Sequence, residues 1–263
     1  MKIISHNING LNAYASSGKL ARIMSEDADV YCFQEVKVSS LEKAEALLGE
    51  EVLYRYSMSY VFNPYKRGYA GVMTLVKKDT AGKMLVKVER PEESTLILEG
   101  LSNYGYGRIL TLDFGDFYII NTYVLNSGSG KEQERQLFDN RLQMYLLGLD
   151  KPYVICGDFN VCSCELDYHG DWEAAKNTMP GLMKFEIEGF RNLLWECNLK
   201  DPWRDTHPFD RRYTWCSPRI KNPGKGWRLD YFLVTEGIVV LDCQIKQGWC
   251  NYDHSPIVME MHV

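Results

Sequence analysis

Ten polar residues stand at or near the ends of apolar runs, where strands would present them along a sheet edge. Asn7 ends IISHN and Asn9 follows it, Glu35 follows VYCF, Tyr123 and Asn126 follow FYIINT, and Asp158 and Asn160 follow YVIC. Asp230 lies inside RLDYFLV, and Asp253-His254 precedes the last run. Carboxylates and amides suit a hard cation such as Mg²⁺, which prefers oxygen ligands. An Asp beside a His suits an oriented imidazole. A hard metal, a carboxylate base and an imidazolium together make a site that hydrolyses a phosphodiester. A carboxylate within an apolar strand is costly to bury alone, which makes His254 the natural partner of Asp230. Taken singly, a strand-end Glu is commonly a surface residue and an Asn a turn residue. The joint pattern carries the reading.

The elements that must position these groups follow from hydrophobic patterning. IISHN (3–7), VYCF (30–33), AGVMTLV (70–76), RILTLDF (108–114), FYIINTYV (117–124), YVIC (153–156), RLDYFLV (228–234) and PIVMEMHV (256–263) read as strands. Gly115-Asp116 is expected to turn a hairpin between the fourth and fifth of these. Leu20, Ile23 and Met24; Leu41, Ala44 and Leu48; Phe138, Leu142, Tyr145 and Leu149; and Ile187, Phe190 and Leu194 recur at helical spacing. Strands interspersed with helices predict an α/β fold of two mixed sheets packed face to face with outer helices. VYCF and YVIC each run into a carboxylate, a hint of two similar halves meeting at their strand ends.

Composition narrows the class. With 263 residues, 45% of them apolar, the chain suits one large α/β domain spanning 1–263. A net charge of −5 argues against a passive nucleic-acid coat, which would be basic. The start MKIISHNING has no apolar stretch behind a basic head, and no run is long enough to span a membrane. A cytoplasmic, unsecreted protein is expected, with its eight cysteines reduced. Ser127-Gly128-Ser129-Gly130-Lys131 falls short of a phosphate loop, because Leu125 stands where that motif needs glycine. Cys162, Cys164 and His169 lack an evident fourth zinc ligand.

At the level of ordered motifs the chain resembles the exonuclease III / apurinic-apyrimidinic endonuclease family, within the endonuclease/exonuclease/phosphatase superfamily. The matching pieces are I-S-H-N-I-N-G-L (4–11), Q-E-V-K (34–37), G-Y-A-G-V (68–72), G-R (107–108), N-T-Y-V-L-N (121–126), G-D-F-N-V (157–161), E-L-D (165–167), Y-T-W (213–215), G-W-R-L-D-Y-F (226–232) and D-H-S-P (253–256). They cover essentially the whole chain. The resemblance implies a four-layer αββα sandwich with Glu35 as main metal ligand and Asn7 and Asp253 lining the same region. It implies that Asp158, helped by Asn160, activates water, and that His254, oriented by Asp230, holds the scissile phosphate with Tyr123. Trp215, Trp227 and Leu229 match the apolar pocket for an extruded baseless sugar. The activity implied is Mg²⁺-dependent cleavage of double-stranded DNA 5′ to abasic sites, with trimming of 3′ ends, Mn²⁺ being a plausible substitute and no obligate protein partner required. The rival readings are a related phosphodiesterase acting on RNA, an inositol phosphate or a phospholipid headgroup, and a non-catalytic nucleic-acid-binding relative.

Departures from the family pattern are informative. His6 stands where Trp is usual, Asn12 and the 13–18 stretch lack the usual basic residues, Ser163 replaces a His, and Cys216 replaces an aromatic. Lys66, Arg67, Arg219, Lys221 and Lys225 are the best candidates for a DNA-facing rim, with Asn126 as a further contact. Other basic residues, Arg108, Arg135 and Arg228 among them, read mainly as solvated surface charge.

Overall fold

The computed structural model describes residues 1–81, 87–89, 103–217, 222, 225–247 and 253–262. Arg219 and Lys221 lie outside the described residues.

The apolar runs form strands with continuously buried faces, as expected where helices or a second sheet cover both sides. β1 (Lys2–Asn7), β2 (Val30–Gln34), β3 (Tyr56–Val61), β4 (Val72–Lys77), β5 (Lys87–Glu89), β6 (Ile109–Asp113), β7 (Tyr118–Tyr123) and β8 (Tyr153–Asp158) come first in the chain. β9 (Trp215–Cys216), β10 (Gly226–Trp227), β11 (Asp230–Val234), β12 (Val240–Ile245) and β13 (Ile257–Met261) follow. They assemble into a six-stranded sheet of order β12-β13-β1-β2-β4-β3, a five-stranded sheet of order β11-β8-β7-β6-β5, and a β9-β10 ribbon. Both large sheets are mixed: β1 pairs parallel to β2 and antiparallel to β13, and β8 pairs parallel to β7 and antiparallel to β11.

The sheets face each other across a core that includes Ile3, Val30, Cys32, Leu110, Ile119, Val154, Cys156, Phe232 and Met259. Helices Glu132–Leu147 and Lys184–Glu196 cover the outer face of the five-stranded sheet through Phe138, Leu142, Phe190 and Leu193. Helices Leu11–Ser16, Lys19–Met24 and Leu41–Arg55 cover the other outer face through Leu11, Tyr14, Ile23, Ala44 and Leu48. The result is the expected four layers. Polar groups fix how the sheets register: Asn121 Nδ2 donates across the interface to the carbonyls of Phe33 (3.2 Å) and Met73 (3.0 Å), and Gln34 Nε2 donates to Asn121 Oδ1 at 2.8 Å. Both side chains are buried, where an unmade hydrogen bond costs about 1–3 kcal/mol, so the pairing resists sliding.

Strands β3, β5, β9, β10 and β12 were not expected from the sequence. β3 reads YSMSYV and lies on the edge of its sheet, so its exposed positions carry serine and break the apolar run. β12 reads VLDCQI on the opposite edge and exposes Leu241 and Asp242.

Three arginines read as surface charge are buried instead. Arg228 pairs with Asp167 (2.7 Å) and Asp201 (2.7 Å), and Arg204 adds a second cation on Asp167 at 2.6 Å. Arg108 donates to the carbonyls of Tyr104 (2.6 Å) and Tyr123 (3.1 Å). Arg135 faces inward from its helix, at 2% exposure. Guanidinium can be buried when every donor finds a partner, because its fork serves several acceptors at once.

Candidate active site

Strand register brings the polar ends together. Tyr123 on β7 pairs with Asp158 on β8, and Asp158 pairs with Asp230 on β11. In the facing sheet Asn7 on β1 pairs with Gln34 on β2, which places Glu35 just beyond it. The chain at this edge is held in left-handed backbone at Asn9 (φ 47), Glu35 (φ 52) and Asn160 (φ 50). Such conformations cost energy for residues other than glycine and cluster where geometry serves a function. Gly157 is required for a different reason: a Cβ there would lie 1.8 Å from the Thr122 carbonyl oxygen. Its absence lets β8 press against β7 and sets Asp158 beside Tyr123.

The groups line a cleft of about 330 Å³ formed by Asn9, Glu35, Tyr123, Asn126, Asp158, Asn160, Pro180, Gly181, Trp215, Trp227, Leu229, Asp253 and His254. Ten of these thirteen are site residues expected from the sequence. Asn9 is a strand-end residue with no role assigned by the motifs, and Pro180 and Gly181 carry no signal in the sequence.

At the floor, His254 Nδ1 lies 2.8 Å from Asp230 Oδ2, and its Nε2 lies 3.7 Å from Asp158 Oδ2. Burial alone would make His254 less basic, but the charges of Asp230 and Asp158 outweigh it and lift its pKa to about 10. The ring is therefore an imidazolium at neutral pH. Asp158 moves upward to about 7, chiefly through burial, with Asp230 and Glu35 adding repulsion and His254 opposing. Glu35 goes the other way: burial works to raise it, but the Lys37 ammonium and the Asn7 amide hold it below its ordinary value. Lys37 Nζ lies 2.6 Å from Glu35 Oε2, a contact the Q-E-V-K motif contained but did not announce. Tyr123 stays a phenol, its pKa raised by burial and then by the Glu35 charge.

The residues expected to line a metal separate by geometry. Glu35, Asp158 and His254 each present a potential ligand atom within 4.8 Å of the others, but the imidazolium has no free lone pair, which leaves the carboxylates as the groups able to ligate a metal ion. Two of the three are carboxylates, the oxygen donors a hard cation takes. Asn7 Nδ2 donates to both carboxylates, at 2.9 Å to Glu35 Oε1 and 2.9 Å to Asp158 Oδ2. Its Oδ1 accepts from the Asn9 backbone at 3.1 Å. Asn7 thus bridges the two acids. Asp253 sits at the cleft rim, accepting from Asn9 Nδ2 at 2.6 Å.

Asn160 is held from both sides, its Nδ2 donating to the Val124 carbonyl at 2.9 Å and its Oδ1 accepting from Asn126 Nδ2 at 3.3 Å. The apolar wall comes from the β9-β10 ribbon, where Trp215 opposes Trp227 with their rings edge to face at 5.6 Å. Leu229 packs behind them with Cys162 and Leu182. The ribbon is tied to the histidine by a bridge between Trp215 and His254 and by Ser255 N donating to the Thr214 carbonyl at 2.6 Å. His6 is buried beneath the same loop, its Nε2 3.1 Å from the His254 carbonyl and its Nδ1 3.0 Å from Tyr14 Oη. Burial pulls its pKa down to about 4, so it packs as a neutral ring where Trp was usual.

Among the rim candidates, Lys66 is exposed and sits over the rings of Tyr69 (4.4 Å) and Tyr104 (4.5 Å). Arg67 and Lys225 are exposed. None of the three is among the residues that line the cleft. Asn12 and Ser16 are exposed on helix Leu11–Ser16.

An acidic cluster beside an aspartate-held imidazolium, at the shared edge of two sheets, defines a hydrolase of phosphodiester bonds. The sequence matches the family described as "Endonuclease/Exonuclease/phosphatase family" over residues 4–246, and the chain belongs to it. It is 33% identical to an exodeoxyribonuclease of Streptococcus pneumoniae, covering 99% of each chain. It is 32% identical to the DNA repair nuclease APEX1 of Danio rerio, covering all of this chain and 83% of that one. In structure it is similar to the AP endonuclease LMAP of Leishmania major, with a TM-score of 0.84 and 28% identity, covering 100% of this chain and 87% of that one.

Proposed function

We propose that the protein is a Mg²⁺-dependent DNA-repair nuclease that cuts duplex DNA 5′ to an abasic site and trims 3′ ends. The observation that carries this reading is the Trp215–Trp227–Leu229 wall bordering the same cleft as Glu35, Asp158 and His254. A phosphatase of small soluble esters needs the acids but has no use for an apolar slot beside them. A slot of this kind admits a sugar that has lost its base, and the cost of flipping is least where no base must be unpaired.

Within that reading each residue has a task. The His254 imidazolium donates from Nε2 to a non-bridging phosphate oxygen, while Asp230 keeps the ring charged and aimed. Tyr123, protonated, donates to the same phosphate. Asp158, lifted to about 7, is poised to take a proton from the attacking water. Asn160 and Asn126 shape the wall against which the phosphate rests. Glu35, with Asn7 and Asp253 lining the same region, would hold the cation, whose chemistry is to polarise a phosphoryl oxygen and offset charge in the transition state. Lys66, Arg67, Arg219, Lys221 and Lys225 serve the flanking backbone as DNA contacts. Within this reading the protein works in the cytoplasm and needs no obligate protein partner. Among the described residues no helix is long and apolar enough to cross a membrane.

The test is incubation with a labelled duplex carrying one abasic analogue, beside RNA and small phosphodiesters, with and without Mg²⁺. Cleavage of the abasic duplex alone is expected. Equal or faster turnover of the other substrates overturns the assignment.

A further inference from the structure

Arg135 lies in the middle of the cleft's support. Its Nε donates to both carboxylate oxygens of Asp139, each at 2.8 Å. Nη1 donates to the Leu125 carbonyl at 2.8 Å, and more weakly to the Asn160 carbonyl and to Glu186 Oε1, each at 3.4 Å. Nη2 donates to the Phe159 carbonyl at 3.1 Å. Those carbonyls belong to the residue before Asn126, the residue between Asp158 and Asn160, and Asn160 itself. One guanidinium therefore grips the main chain of both loops that carry the cleft-facing asparagines.

Glu186 extends the grip to the opposite wall. It is fully buried, and its Oε2 accepts from the backbone of Gly181 at 2.6 Å and of Met183 at 3.1 Å. Gly181 takes φ +88, and a Cβ there would lie 2.9 Å from Trp227 Cζ3, so this backbone is the surface on which the indole rests. The Gly181 carbonyl accepts from Cys162 at 2.9 Å, which anchors the loop from its other side. The chain of contacts runs from Asn126 and Asn160 through Arg135 and Glu186 to Gly181 and Trp227 without a gap.

We propose that the Arg135–Glu186 pair sets the distance between the asparagine wall and Trp227, and so determines which nucleotide enters the cleft. The inference rests on the proposed abasic-site activity and gives its selectivity a source outside the cleft lining. Neither residue lines the cleft, so each is a positioning residue. A buried pair of this kind is a weak source of stability but a stringent geometric constraint, since both partners must keep every bond they make. Lysine at 135 would keep the charge and lose the fork that reaches several carbonyls. Glutamine at 186 would keep the shape and lose the charge that holds two backbone N–H groups.

The experiment compares Arg135→Lys, Glu186→Gln, Gly181→Ala and a core control, Leu193→Ala, on the helix that carries Glu186. For each, kcat/KM is measured on a duplex with one abasic analogue and on the same duplex with an intact nucleotide, and thermal unfolding is followed in parallel. The expected result is a drop of about tenfold or more in the abasic-to-intact ratio for Arg135→Lys and Glu186→Gln, and a changed ratio for Gly181→Ala. Leu193→Ala should lose stability and keep the wild-type ratio. A wild-type ratio in both Arg135→Lys and Glu186→Gln overturns the proposal, as does an equal drop in Leu193→Ala, which would trace the effect to general loosening. Failure of the wild-type protein to cut the abasic duplex overturns the underlying activity instead, so the two failures are distinct.

Discussion

Asp158 and His254 stand 3.7 Å apart, and their protonation is set by the same neighbours. Asp230 lifts the histidine and, by repulsion, also lifts Asp158. Asp230→Asn is therefore expected to return the His254 pKa toward 6.5, as read by NMR of the ring. It should lower kcat roughly 10²-fold with little change in KM, because the charged contact strengthens mainly in the transition state. Wild-type turnover in His254→Ala would show the site to be misplaced. Glu35→Gln removes one of the two carboxylates from the cluster, and calorimetry with Mg²⁺ alone, in the absence of DNA, is expected to show binding weakened at least tenfold. At this scale the sequence was readable where a polar residue interrupts an apolar run, because only function or a turn explains such a break. The direction of the Asn7 amide was not readable, because its 2.9 Å contacts are to acids far along the chain. Arg135 and Arg228 were misread for a related reason, since Lys and Arg are exposed in most proteins and pairing partners far along the chain leave no local pattern.

Elements supply the second set of expectations. Asp167, in the turn Glu165–Asp167, is buried against Arg228 and Arg204. Burial works to raise its carboxyl, but the Arg228 charge wins and holds it at about 2, below the usual 3.8. A depressed carboxylate contributes stability above its unfolded pKa and loses it as pH falls through the folded one, so the window runs from about 4 down to about 2. Asp167→Asn should flatten the acid limb of the stability curve in that window. It should also cost about 3–5 kcal/mol in urea unfolding at neutral pH, because it leaves Arg228 buried with less compensation. An unaltered acid limb would remove Asp167 from the account. The β9-β10 ribbon yields a functional expectation: Trp227→Ala should enlarge the cleft and lower the preference for an abasic site over an intact nucleotide, and an unchanged preference would exclude Trp227 from selectivity. Most strands and the four longer helical patterns were legible because burial on one or both faces imposes a period. β3 and β12 were not, since edge strands carry exposed polar positions that blur it.

The whole molecule bears a net charge of −5, so long-range attraction does not draw it to DNA, and affinity must come from local cations. Asn12 and Ser16 are exposed, at positions where the family resemblance implies basic side chains. Asn12→Arg is expected to tighten duplex binding by roughly 1 kcal/mol and to steepen the plot of log K against log salt by about one unit, with single-turnover cleavage at saturating DNA unchanged. No change in either quantity would mean that helix Leu11–Ser16 faces away from the nucleic acid. The four-layer arrangement itself was legible from strand and helix patterning together with the ordered motifs. The register between sheets was not, because it is set by Asn121 and Gln34, two buried amides whose partners come from distant strands. The central claim is that one cleft joins phosphodiester chemistry to a slot for a baseless sugar. The direct measurement is cleavage of a single end-labelled duplex containing one abasic analogue, with Mg²⁺ and with EDTA. The account predicts an incision immediately 5′ to the analogue, followed only by shortening from 3′ ends, both seen with Mg²⁺ and absent with EDTA. Cutting scattered along the intact duplex, or the same product formed in EDTA, would contradict it.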